Sequence, residues 1–226
     1  PVAKGLHNVQ LHLARGQRIA LIGESGSGKS TLLALLRGLH TPLPGAVLTV
    51  DGSPACNWGG LSDAVTLFPQ EPEIFENTVA YNITLGLPFP EEEVLEVCDL
   101  VCFTEVIKQL PEGLQTVIQE KGVNLSVGQK QRLALARGLL ASRSSSIVLL
   151  DEPTSSIDPQ TELHVYQRLM KALAGKVVVS SLHHLELLYL FDYIYVLQEG
   201  EIVEEGTYEA FHQREYLKAA RAPSLS

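Results

Sequence analysis

Residues 23–30 read Gly23-Glu24-Ser25-Gly26-Ser27-Gly28-Lys29-Ser30, a complete G-x-x-x-x-G-K-S pattern. No other stretch constrains the fold as tightly. Glycine admits positive φ and carries no Cβ, so backbone N–H groups can turn inward around an anion. The pattern works only between a strand that delivers it and a helix that closes it. Both flanks are present. Arg18–Ile22 is a short apolar run, and Ser30–Leu36 has helical spacing. A helix starting near Lys29 adds the positive end of its dipole. In this arrangement Lys29 reaches the β- and γ-phosphates, and the Ser30 hydroxyl ligates Mg²⁺. Thr31 is grouped with the loop as a nucleotide-binding position. A chance glycine turn lacks such flanks, so the expected ligand is ATP with Mg²⁺.

The rest of the chain continues an α/β pattern. Val9–Leu13 alternates and predicts an edge strand. Ala46–Val50 predicts a strand ending in the turn Asp51-Gly52, and Ala64–Phe68 another. From Glu91 to Leu110 the spacing predicts a helical lobe, opened by Glu91-Glu92-Glu93 and broken at Pro111-Glu112-Gly113. Val94, Leu95, Val97 and Cys98 form its apolar side. Gln129–Leu140 predicts a helix with Leu133, Ala136, Leu139 and Leu140 inward. Ile147–Leu150 is continuously apolar, as a buried parallel strand requires. Then come a helix over Pro159–Leu173, a strand over Val177–Ser180 and a short helix over Leu185–Tyr189. A strand over Tyr193–Leu197 turns at Gln198-Glu199-Gly200 into Ile202-Val203 as a hairpin. The tail from Tyr208 predicts helix that frays at Pro223.

The apolar strand Ile147–Leu150 delivers Asp151-Glu152. Two acids at the C-terminal end of a buried parallel strand stand where ligands of such sheets bind. Asp151 is expected to hold Mg²⁺ through water, and Glu152 to polarise an attacking water as general base. Strands often end in solvated acids. This one is paired with a phosphate loop and followed by Pro153-Thr154-Ser155.

Composition narrows the partners. The 226 residues carry a formal charge of −9, which repels a phosphate backbone, so no nucleic acid is expected. Cys56, Cys98 and Cys102 are odd in number and include no CxxC pair, which argues against a disulfide framework or a zinc site. Cys98 and Cys102 are read as small core residues on one face of a helix. Leu187–Leu197, interrupted by Asp192, falls well short of the roughly 20 residues a membrane helix needs. No signal peptide is visible. The single methionine is Met170, so the chain is expected to be part of something longer. His7, His12 and His164 are read as surface residues.

Leu125-Ser126-Val127-Gly128-Gln129 stands at the start of a predicted helix and is followed by Lys130-Gln131-Arg132. Here the sequence resembles the nucleotide-binding domains of ABC transporters, whose signature reads LSGGQ. The resemblance covers essentially the whole chain and keeps the family's motif order. The phosphate loop is followed by Gln70 in Phe68-Pro69-Gln70-Glu71, then the signature, then Asp151-Glu152. Ser155-Ser156-Ile157-Asp158 resembles the D-loop, and His183 stands at the switch histidine. Glu73-Ile74-Phe75-Glu76-Asn77-Thr78-Val79 and Thr116-Val117-Ile118-Gln119-Glu120-Lys121-Gly122 are similar to two exporter segments that touch the cytoplasmic ends of the transmembrane domains.

The resemblance implies a phosphate-loop NTPase fold of ABC type. Its parts would be a mostly parallel sheet, an N-terminal antiparallel β subdomain and an inserted α-helical subdomain over about 78–140. Residues 1–226 would form one nucleotide-binding domain whose N-terminal strand lies upstream. It implies a head-to-tail dimer in which Leu125–Gln129 of one subunit contacts ATP held by the other. Gln70 would ligate Mg²⁺ beside Ser30 and relay its state to a transmembrane domain. His183 would meet the γ-phosphate, Asp158 would cross the interface, and Lys29, Gln70, Glu152 and His183 would form the catalytic set. His183 is preferred to His184 because it directly follows the strand. The setting implied is the cytoplasmic face of a membrane.

Three positions depart from the family pattern. Val127 replaces a glycine, and a β-branched residue is poor at positive φ and fills space near the γ-phosphate. Gln119 replaces a glycine and His184 an arginine. The adenine-stacking aromatic lies upstream of Pro1, so weak ATP binding is expected. Two rival readings are a soluble ABC ATPase of repair or translation and a binding-only regulatory partner. The first lacks its usual tandem cassettes or coiled-coil insertions here. The second is opposed by Lys29, Asp151, Glu152 and His183.

Overall fold

The structure is a computed structural model that describes residues 5–50, 52–54, 59–119 and 125–213. Among the described residues the strands are β1 (Arg18–Ile22), β2 (Thr49–Val50), β3 (Ser53–Pro54), β4 (Val65–Phe68), β5 (Ile147–Asp151), β6 (Val177–Ser181), β7 (Tyr193–Gln198) and β8 (Glu201–Thr207). The α-helices among the described residues are α1 (Lys29–Arg37), α2 (Val79–Thr84), α3 (Glu91–Leu100), α4 (Thr104–Gln109), α5 (Val127–Ala141), α6 (Pro159–Ala172) and α7 (Tyr208–Gln213).

Six strands form one sheet in the order β4-β5-β6-β1-β7-β8, and β2-β3 form a separate antiparallel hairpin. Only β8 runs antiparallel in the large sheet. The central strands are apolar throughout because both sheet faces are covered. Ala20, Ile22, Val148, Leu150, Val178, Ile194 and Val196 enter the larger core, beneath α3, α5 and α6. Ile19, Leu21, Leu149, Val177, Val179, Tyr195 and Leu197 point the other way, onto Leu32, Leu33 and Leu36 of α1. This is the period of two that strand geometry imposes. At the β7–β8 hairpin Glu199 (φ 48) and Gly200 (φ 86) both adopt positive φ, the turn geometry whose twist matches its strands.

Several expectations need correction. Val9–Leu13 keeps its alternating burial but forms no strand. Its His12 N–H donates instead to the Tyr195 hydroxyl at 3.1 Å, while Val9, Leu11 and Leu13 pack on the α1-side core. The strand read over Ala46–Val50 is confined to β2. The lobe over Glu91–Leu110 is two helices, because Cys102 adopts φ 56 and stops α3. Cys98 and Cys102 therefore do not share a helix face. Cys98 is buried, and burial pushes its thiol up to about 12. Leu95 is exposed rather than apolar-facing, and His7 is half-buried rather than a surface residue. The short helix read over Leu185–Tyr189 is present, as the 3₁₀ stretch Leu185–Leu190. Asp51, Cys56 and the tail beyond Gln213 lie outside the described residues.

One glycine reports how closely α5 lies on the sheet. A Cβ at Gly138 would come within 2.3 Å of the Phe68 ring, which is itself buried at the end of β4. In an open helix Gly→Ala gains about 0.5–1 kcal/mol. Here overpacking costs about 1–3 kcal/mol and wins. Gly138→Ala is expected to lower stability by roughly 1–2 kcal/mol in urea titration, and adding Phe68→Leu to recover much of it.

Candidate functional site

Parallel strands put their C-terminal ends on one edge, and the order β4-β5-β6-β1 makes four of those ends neighbours. Register keeps them level: Phe68 pairs with Leu150, Asp151 with Ser181, and Leu21 with Ser181. The segments that follow carry Gln70, Glu152, His183 and the phosphate loop, far apart in sequence and adjacent here.

The loop after β1 turns on Gly23 (φ 145), Gly26 (φ 81) and Gly28 (φ 110). A Cβ at Gly23 would meet the Leu197 carbonyl oxygen at 2.1 Å, so β7 itself closes that space. Gly28 precedes α1, whose first residue is Lys29. The Lys29 ammonium is buried; it donates to the carbonyls of Gly23 at 2.8 Å and Glu24 at 3.2 Å. Glu24, Ser25, Gly26, Ser30 and Thr31 are exposed, whereas Ser27 is buried, and its hydroxyl has no protein partner among the described residues. An unpaired buried hydroxyl in a glycine loop suits a loop built around an anion.

The Ser30 hydroxyl donates to Asp151 Oδ1 at 3.1 Å, and the Ser181 hydroxyl donates to the same oxygen at 2.8 Å. A hydroxyl beside a buried carboxylate is an oxygen-only donor set, which fits a hard cation such as Mg²⁺. Glu152 stands next along, at φ 43. A left-handed non-glycine residue costs on the order of 1–2 kcal/mol. The cost is offset by bonds on either side: Glu152 N–H donates to the Ser181 hydroxyl at 2.8 Å, and Ser155 N–H to the Glu152 carbonyl at 3.3 Å. The twist turns the Glu152 carboxylate toward Lys29, 3.7 Å away, and its other oxygen accepts from the Gln70 amide at 3.1 Å.

The signature lies at the start of α5. Ser126 caps the helix: its hydroxyl accepts from Gln129 N–H at 3.2 Å, and the Gln129 amide oxygen accepts from Ser126 N–H at 2.9 Å. This capping box is legible from the S-x-x-Q spacing. Leu125 is buried beneath it. Val127 is the first helical residue and does not adopt positive φ, so the strain expected of it is not present. Its side chain is 61% exposed and projects from the helix start. Asp158 caps α6, and the backbone bond from Thr161 N–H, at 3.0 Å, holds its carboxyl below the usual range. His183 is exposed on the turn after β6, and its ring centroid lies 6.2 Å from that of His184.

Three supporting residues were missed in the sequence. Ser181, one residue beyond the strand read over Val177–Ser180, holds both acids. Gln131 is buried; its amide donates to the Ser155 hydroxyl at 3.0 Å and accepts from Ser156 N–H at 2.9 Å, tying the D-loop to α5. Gly128 reinforces the contact, since a Cβ there would lie 2.6 Å from the Ser156 carbonyl. Arg137 donates to the carbonyls of Asn82 at 2.6 Å and Glu73 at 2.8 Å and stacks on Phe75. Only the K-Q-R run after the signature hinted at Gln131. Glu120 lies outside the described residues.

A parallel sheet whose phosphate loop follows a central strand, with the acid pair two strands away, is that of a phosphate-loop nucleotide-binding domain. The model of the ABC transporter family matches residues 6–155, and the chain belongs to that family as one of its ATPase domains. It is 36% identical over 220 residues to the ABC multidrug transporter MDR2 of Trichophyton tonsurans, covering 95% of this chain and 16% of that protein. It is 38% identical over 205 residues to the glutathione/L-cysteine transport system ATP-binding/permease protein CydD of Bacillus subtilis, covering 90% of this chain and 35% of that one. The chain thus spans between a sixth and about a third of these relatives' lengths. A bacterial Atm1-family ABC exporter with ATP bound superposes at a TM-score of 0.85 with 31% identity, over 95% of this chain and 38% of that chain.

Gln131→Leu removes both bonds to the D-loop and leaves Ser156 N–H without its partner, a loss of about 1–3 kcal/mol locally. Amide exchange across Ser155–Ile157 is expected to quicken by about tenfold or more, read by hydrogen–deuterium exchange mass spectrometry.

Proposed function

We propose that this chain is the ATP-hydrolysing motor domain of an ABC exporter, and that it couples head-to-tail dimerisation and hydrolysis to export. The observation that carries this reading is the Glu152 carboxylate, poised between Lys29 and Gln70 beside the Ser30–Asp151 pair.

Gly23–Ser30 and Thr31 would cradle the phosphates through backbone N–H groups, and Lys29 would exchange its carbonyl partners for phosphate oxygens. Ser30 and Gln70 would hold Mg²⁺ directly and Asp151 through water; when bound, the ion neutralises phosphate charge. Glu152 acts as general base on the attacking water, and Gln70, already bonded to it, orients that water. His183 reaches the γ-phosphate from the β6 edge. Ser126 and the N–H groups opening α5 form a second anion site, exposed and therefore free to meet ATP held by a second nucleotide-binding domain. Asp158 would face the same interface.

Residues 78–140 are read as a helical subdomain within a single nucleotide-binding domain. Phase of coupling falls to the segment after Gln70. Phe75 and Tyr81 stack edge to face with centroids 6.4 Å apart and form an exposed apolar surface, and Leu85 and Val117 are exposed as well. That surface suits the cytoplasmic end of a transmembrane domain. Arg137 fixes it to the signature helix, so movement at one is passed to the other. The domain would work at the cytoplasmic face of a membrane.

Glu152→Gln is expected to reduce turnover by about a hundredfold or more while ATP now produces a stable dimer on size-exclusion chromatography. A variant that hydrolyses like wild type removes Glu152 from the mechanism. Val127 narrows the second anion site, and Val127→Gly is expected to raise dimer turnover about two- to fivefold in a coupled phosphate-release assay. An unchanged rate would show that the valine is neutral.

A further inference from the structure

Outside the catalytic set, one buried carboxylate has no part in the reaction above. Glu162, in the first turn of α6, is 5% exposed. An acid in a first turn is favoured by the helix dipole, but a solvent-facing side chain would serve that purpose as well. Glu162 turns inward instead. Its Oε1 accepts from the Thr154 hydroxyl at 2.6 Å, and its Oε2 lies 2.5 Å from His184 Nδ1. A buried carboxylate is costly to break from its partners, so both contacts resist displacement.

The two partners stand at informative places. Thr154 is 2% exposed and lies two residues after Glu152. His184 is next to His183. One turn further along α6, Tyr166 continues the same polar stripe; its hydroxyl pairs with the Ser180 hydroxyl of β6 at 3.0 Å, and burial holds its phenol far above the ordinary range. A line of contacts thus runs from behind the Glu152 strand end, through α6, to the turn that presents His183. It bypasses the β5–β6 ladder.

We propose that Glu162 and His184 are positioning residues, whose hydrogen-bonded pair fixes the turn carrying His183 in register with Glu152. This rests on the reading in which His183 faces the γ-phosphate. His184 anchors the turn by its ring, which leaves the adjacent His183 ring exposed and aimed outward.

The test compares wild type, Glu162→Gln, His184→Ala and His184→Arg for kcat and KM with ATP, and for amide exchange across Leu182–Leu185 without nucleotide. His184→Ala is expected to lower kcat about tenfold with KM within about twofold. His184→Arg, which keeps a donor for Glu162, should retain at least about half of wild-type kcat, and Glu162→Gln should fall between the two. Exchange over the turn should quicken about tenfold in His184→Ala and stay near wild type in His184→Arg. Wild-type kcat in His184→Ala, equal loss in the arginine variant, or a parallel loss of ATP affinity would overturn the proposal. Unchanged exchange in His184→Ala overturns it even if wild type binds ATP without hydrolysing it; absent wild-type turnover by itself counts against the motor reading only.

Discussion

The ladder joining β5, β6 and β1 sends alternate side chains to opposite faces, and each face must be covered. Everything around the site follows from that demand. The α1 helix covers one face with Leu32, Leu33 and Leu36, and α5 and α6 help cover the other. Covering the faces of the central strands leaves their edges open. At the C-terminal edge, level register gathers the phosphate loop, the acid pair and the turn after β6.

Precision at that edge comes from the groups behind it. Ser181 holds Asp151 by its side chain and Glu152 by its backbone. The left-handed twist at Glu152 survives because those bonds offset its strain. The carboxylate is thereby held toward Lys29 and Gln70, the preorganisation that its proposed role as general base calls for.

The α5 helix joins three surfaces. Its start presents Ser126 outward, Gln131 grips the D-loop from its first turns, and Arg137 clamps the segment after Gln70 near its end. A rigid helix with fixed contacts at each end passes displacement rather than absorbing it. In the proposed function, this gives a physical basis for linking nucleotide occupancy to the exposed surface around Phe75.

The glycine spacing, the apolar run before Asp151-Glu152 and the S-x-x-Q cap were set by local rules, so the α/β class, most elements and the residues proposed for the site could be named from the sequence. Local rules also misled. They drew a strand at Val9–Leu13, whose backbone instead meets the Tyr195 hydroxyl. They ran one helix through Cys102, which adopts positive φ at a boundary that propensity does not mark. They also assigned Val127 a strain that its place at the helix start avoids. What only tertiary structure decided was neighbourhood: the strand order, the close approach of Gly23 to Leu197 and of Gly138 to Phe68, and the buried contacts of Ser181, Gln131 and Glu162. Such contacts join residues remote in sequence, and a short-range pattern carries no record of which distant side chain will fill a given space.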